Sequence, residues 1–126
     1  MAGSTARKLN SKVHHEGSTR AVRAKVPELA TNLDRLLHDR MRLGIVSALA
    51  AADNMSFTDL KSSLNATDGN LSVHARKLEE AGYLACEKTF SGRTPRTDYK
   101  LTASGRRALE KYLDHMDAII KAARTT

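Results

Sequence analysis

From residue 28 to residue 124 the spacing of apolar positions changes several times, and each change marks an element. Leu29, Leu33, Leu36 and Leu37 recur at three- and four-residue steps, the spacing of one helix face, and Pro27 suits the first turn of such a helix. Asp39 is placed to cap a second helix, in which Leu43, Ile45, Val46, Leu49 and the run Ala50, Ala51, Ala52 make a wide apolar face. Gly44 costs that helix about 1 kcal/mol relative to alanine, so either another backbone approaches closely there or the cost is simply tolerated. Asp53 and Asn54 read as a turn, Met55, Ser56 and Phe57 as a very short strand, and Thr58 as the cap of a two-turn helix over 59–64. Asn65 and Ala66 turn the chain, Thr67 caps a further helix over 68–81, and Gly82 ends it in the left-handed region.

After Gly82 the period changes from helical to extended. Residues 83–90 read as one strand and 97–101 as another, and Ser91, Gly92, Arg93, Thr94, Pro95 and Arg96 between them carry the marks of a solvent-facing turn. Thr102 caps a final helix of about 103–124, along which Leu109, Tyr112, Leu113, Met116, Ile119, Ile120 and Ala123 recur at three- and four-residue steps. Two helices separated by a turn of two or three residues, followed by a hairpin and a helix, predict a mainly α fold with a small β-hairpin wing (α+β): a winged helix-turn-helix with helical dimerisation elements at both ends.

Composition narrows the picture. With 126 residues the chain has room for one core, and 40% hydrophobic residues with no Trp, two Phe and three Tyr make it an aliphatic one. Residues 1–27 are rich in Ser, Thr, Gly, His, Lys and Arg and too poor in apolar side chains to offset ordering entropy, so they are expected to form a disordered basic arm ahead of a single domain over 28–126. The net charge of +7 favours a polyanionic partner. It is concentrated in residues 1–30, 83–100 and 101–126, which contribute +4, +2 and +2, leaving the central helices close to neutral. No apolar run reaches the roughly 18–20 residues of a membrane span and none near the N-terminus suits a secretory signal, so a cytoplasmic location without membrane contact is expected. The single cysteine, Cys86, fits a reducing compartment and has no partner for a disulfide or a thiolate pair.

The stretches TDLKSSLNATDGNLSVHARKLEEAGYL and EKTFSGRTPRTDYKLTASGRRALEKYL resemble the winged-helix transcription regulators related to the multiple-antibiotic-resistance and arsenic-responsive repressor groups (MarR-like and ArsR-like), in particular short single-domain types with a TDGNLS recognition helix. The resemblance covers about Leu33 to Tyr112. It implies a homodimer on a pseudo-palindromic, inverted-repeat operator, with one helix of each subunit in the major groove and a wing in or near the minor groove. The residues suit that role. Along a helix over 68–81, Leu71, Ala75 and Leu78 share the core face, leaving Gly69, Asn70, Ser72, Val73, Arg76 and Lys77 on the other. Asn70 can pair with an adenine edge, Ser72 can bond a base or phosphate, and the Val73 methyls can meet a thymine methyl. Arg76 and Lys77 suit phosphates, Gly69 lets helix-terminal amides approach one, and Thr67 at the cap completes the set. At the hairpin tip, Arg93 and Arg96 are candidates for the minor groove and the backbone beside it.

Dimerisation is expected through the final helix, at Leu109, Tyr112, Leu113, Met116, Ile119 and Ile120, packed against the partner's equivalent and against Leu29, Leu33 and Leu36. His14, His15, His38, His74 and His115 lack the spacing of zinc ligands, so no metal and no other cofactor is expected. His74 is expected to bond locally at the edge of the recognition helix. No catalytic set is identifiable, and the chain is read as a regulator rather than an enzyme. A module that binds RNA or a protein is the alternative function, and a small-molecule effector, if there is one, would need a crevice near the dimer interface.

Overall fold

The computed structural model describes residues 33–125. They divide between two compact units: residues 34–113 form one, and Leu33 with the residues from Asp114 onward belong to the other. In chain order the elements are α1 (Arg40–Ala52), β1 (Asn54–Ser56), α2 (Phe57–Leu64), α3 (Asp68–Glu80), β2 (Leu84–Ser91), β3 (Thr94–Leu101) and α4 (Ala103–Arg124).

Residues 34–113 hold the helix-turn-helix and a three-stranded antiparallel sheet ordered β1-β3-β2. In that sheet Met55 and Cys86 flank Tyr99, and Leu84 pairs with Leu101. The core is aliphatic, as composition requires. Ile45, Val46 and Leu49 of α1, Leu60 of α2, and Leu71 and Leu78 of α3 are fully buried. Each such side chain contributes about 1.5–3 kcal/mol relative to exposure.

The capping chemistry explains where the elements begin and end. The Asp39 carboxylate accepts the Arg42 amide at 2.9 Å and Thr67 Oγ1 accepts the Asn70 amide at 3.1 Å, each satisfying an otherwise unpaired donor. Thr102 does the same for Gly105 at 2.9 Å. After α3 the Tyr83 amide reaches the Leu78 carbonyl and the Gly82 amide reaches that of Glu79, with Gly82 at φ 83°, which is the Schellman arrangement. Asn65, at φ 52°, plays the glycine's part after α2.

Several sequence expectations need correction. The helix carrying Leu29, Leu33, Leu36 and Leu37 is not what the described residues show. Leu29 and Pro27 lie outside them, and 35–39 form turns and bends. The Asp34 carboxylate takes the Leu36 and Leu37 amides at 2.9 and 3.2 Å, offering the backbone an alternative to the helical ladder. The cap of α2 is Ser56, not Thr58: its buried hydroxyl accepts from the Asp59 amide at 3.1 Å, so the strand ends at Ser56 and Phe57 opens the helix. The hairpin is longer and its turn tighter than expected. Ser91 pairs with Thr94, so the loop is only Gly92 and Arg93, with Gly92 at φ 67° in the first position as a type II′ loop needs. Gly44 faces the Leu64 side chain rather than a backbone; a Cβ there would lie 3.0 Å from Cδ2.

In the second unit the described part of α4 buries Ala122, half-buries Met116 and Ile119, and leaves Ile120 44% exposed, while Asp117 and Lys121 pair one helical turn apart at 2.9 Å.

Candidate nucleic-acid interface

Leu71, Ala75 and Leu78 seat α3 in the core, and this fixes which residues it presents outward. Gly69, Asn70, Val73, Arg76 and Lys77 are exposed, with Val73 at 51%, and Ser72 is half-buried. The space around Gly69 is open, since a Cβ there would meet nothing within 4 Å. Thr67 has a use within the fold, because its hydroxyl already caps the helix.

Polar ties at the edges of α3 set its orientation. Asp68 pairs with Lys61 of α2 at 2.8 Å, which offsets a carboxylate that would otherwise repel a phosphate at the helix start. His74 Nδ1, at the edge of α3, lies 3.0 Å from an Arg42 guanidinium nitrogen of α1 and 3.8 Å from Asp39. Arg42 also donates from Nε to the Leu36 carbonyl at 2.5 Å. The Arg42 amide at the helix start holds the Asp39 carboxyl below the usual range, against a smaller upward push from burial.

The two wing arginines differ in setting. Arg93 sits in the two-residue loop, exposed. Arg96 lies within β3, where its Nε donates to both carboxylate oxygens of Asp98 at 3.1 and 3.0 Å, and this pairing pushes its pKa up. Lys88 was missed by sequence reasoning. Period-two alternation puts it on the face of β2 that carries Cys86, and there it lines a cleft of about 220 Å³ with Ser72 and Arg76 of α3. Burial, and next the Glu79 carboxylate, raise the Cys86 pKa, and burial raises that of Tyr99 beneath the same cleft.

Among the dimerisation candidates, Leu109 and Tyr112 are buried in the unit of residues 34–113, Tyr112 placing its hydroxyl 2.8 Å from His38 Nδ1. Leu113 is 51% exposed and Leu36 half-buried. Leu33 is buried in the other unit, and Leu29 lies outside the described residues. Among the described residues no three His, Cys, Asp or Glu side chains come together to hold a metal ion, and no helix is long and apolar enough to cross a membrane.

Residues 41–120 match the family model of the winged helix DNA-binding domain. The chain belongs to that family. An uncharacterized protein of Methanocaldococcus jannaschii is 34% identical over 79 residues, which are 63% of this chain and 86% of that protein. A transcriptional regulator homologue from Pyrococcus horikoshii OT3 superposes with a TM-score of 0.71 at 28% identity, covering 80% of this chain and 98% of that one. A MarR-family transcriptional regulator from Silicibacter pomeroyi shares the fold, with a TM-score of 0.53 at 22% identity over 83% of this chain and 66% of that one.

Proposed function

We propose that this winged helix protein is a sequence-specific, double-stranded DNA-binding transcription regulator that acts as a homodimer on an inverted-repeat operator. The observation that carries the reading is the outward face of α3, which presents Asn70, Val73, Arg76 and Lys77 with Ser72 beside them, next to a wing that adds Lys88 and Arg93. α3 enters the major groove. Asn70 pairs with an adenine edge, Ser72 bonds a base or phosphate, Val73 meets a thymine methyl, and Arg76 and Lys77 hold phosphates. The open space at Gly69 brings the amides of the helix N-terminus up to the backbone. Arg93 reaches the minor groove from the wing tip, while Arg96, its charge largely met by Asp98, is a lesser contact to the flanking backbone.

Dimerisation uses the exposed apolar residues of α4, Leu113 and Ile120, with Met116 and Ile119. Two-fold symmetry then sets the two α3 helices about 34 Å apart, one turn of duplex. The similarity to a transcriptional regulator homologue of Pyrococcus horikoshii OT3 supports the regulatory role. Selection of bound duplexes from a random pool tests the reading: recovered sequences should contain an inverted repeat with half-sites about 10 base pairs apart. Recovery of no preferred sequence would overturn it.

A further inference from the structure

We propose that Phe90 is an apolar wedge by which the wing enters the minor groove, packing its ring against the sugar walls and prising open a base step. This rests on the reading of α3 and the wing as the DNA-facing surface. Phe90 is 72% exposed, more than Val73, Leu113 or Ile120. Strand register sets where it points. Residues paired across an antiparallel ladder share a face, so the pairs Cys86 with Tyr99, Lys88 with Thr97, and Phe90 with Pro95 lie on one side of the hairpin. That is the side whose cleft is lined by Ser72 and Arg76 of α3. Lys88, Phe90 and Pro95 therefore extend the outward surface of α3 along the wing.

Charge selects the occupant. Residues 88–97 contain Lys88, Arg93 and Arg96 and no acidic residue, and Arg93 stands in the loop two residues beyond Phe90's neighbour Ser91. A phenyl ring beside a prolyl ring, with Lys88 on its own face and Arg93 on the adjoining two-residue loop, suits a polyanion with an apolar-walled groove. Side chains of this kind unstack pyrimidine–purine steps, the most deformable ones, and bend the duplex.

The test uses the full chain and a duplex recovered by the wild type from a random pool, with 2-aminopurine placed in turn at steps flanking each half-site. The wild type should brighten the fluorophore at one flanking step. Phe90→Ala should abolish the brightening and weaken binding roughly tenfold while leaving the salt dependence unchanged, because an apolar contact releases no counterions. Phe90→Leu should keep most of both signals. Wild-type affinity and brightening in Phe90→Ala, or a loss of affinity accompanied by a shallower salt dependence, would overturn the wedge and leave the regulator reading standing. A change in the sedimentation of DNA-free Phe90→Ala, with DNA binding intact, would reassign the ring to contact with a second copy. Failure of the wild type to prefer any duplex would remove both readings together.

Discussion

Gly105 sits in the first turn of α4, and a methyl group there would collide with the carbonyl of Tyr83 and lie 2.7 Å from Leu101 Cδ1. Neither neighbour can yield cheaply. The Tyr83 carbonyl is held by the Thr102 amide at 3.0 Å, the Thr102 hydroxyl donates to the Gly82 carbonyl at 2.6 Å, and the same hydroxyl caps the helix through the Gly105 amide. Leu101 is itself core. Gly105→Ala gains up to about 1 kcal/mol of helix propensity. Against this stand about 1–3 kcal/mol for overpacking, and about 1 kcal/mol each for the cap and for a backbone bond lost if α4 lifts off the corner. The net loss is about 2–4 kcal/mol, which for a domain of this size lowers Tm by roughly 10–25 °C. Thermal unfolding followed by far-UV circular dichroism, at one fixed protein concentration, measures it. A Gly105→Ala protein melting within about 2 °C of the wild type would refute the reasoning, since two short contacts would then have been absorbed at no cost.

Gly69→Ala should melt at or slightly above the wild-type temperature, because the site is open, yet bind the selected duplex more weakly; unchanged binding would exclude close phosphate approach at Gly69. Arg93→Ala should flatten the slope of log K against log salt by roughly one charge, and Arg96→Ala by less, because Arg96 is already neutralised by Asp98; equal slopes in titrations of both variants would contradict this. Asp39→Ala should cost about 1 kcal/mol at neutral pH in urea unfolding through loss of the α1 cap. The folded-state pKa of Asp39 is lowered, so its contribution is complete above the unfolded value near 3.8 and is lost as pH falls through the folded value; a wild-type advantage that persisted in strong acid would count against the cap.

Which parts of this molecule were legible in the sequence depends on whether local chemistry decided them. Thr67 and Gly82 bound α3 with a cap and a left-handed terminator that any helix of that pattern would need, and Leu71, Ala75 and Leu78 then left its outward face by subtraction. Leu36 and Leu37 misled because helical spacing cannot reveal that Asp34 will take their own amides. The wing tip misled because Thr94, Pro95 and Arg96 have turn composition, whereas cross-strand pairing continues to Ser91 and Thr94 once Gly92 makes the reversal. Lys88 and Phe90 were visible in the alternation but could be assigned a side only after register was known.

That register also separates two arginines that composition treats alike. Residues 91, 94, 96 and 98 fall on the face of the hairpin opposite Phe90, so Arg96 and Asp98 share a side and pair, while Arg93 is carried on the loop, free of the ladder. An Arg96 guanidinium tied to a carboxylate must break that pair before it can meet a phosphate, and the exchange of one anion for another yields little net attraction. Arg93 has no such competitor among the ion pairs of the described residues and brings its whole charge to a partner. The wing therefore acts through its loop and the ring behind it, both carried by β2, the strand that packs against α3.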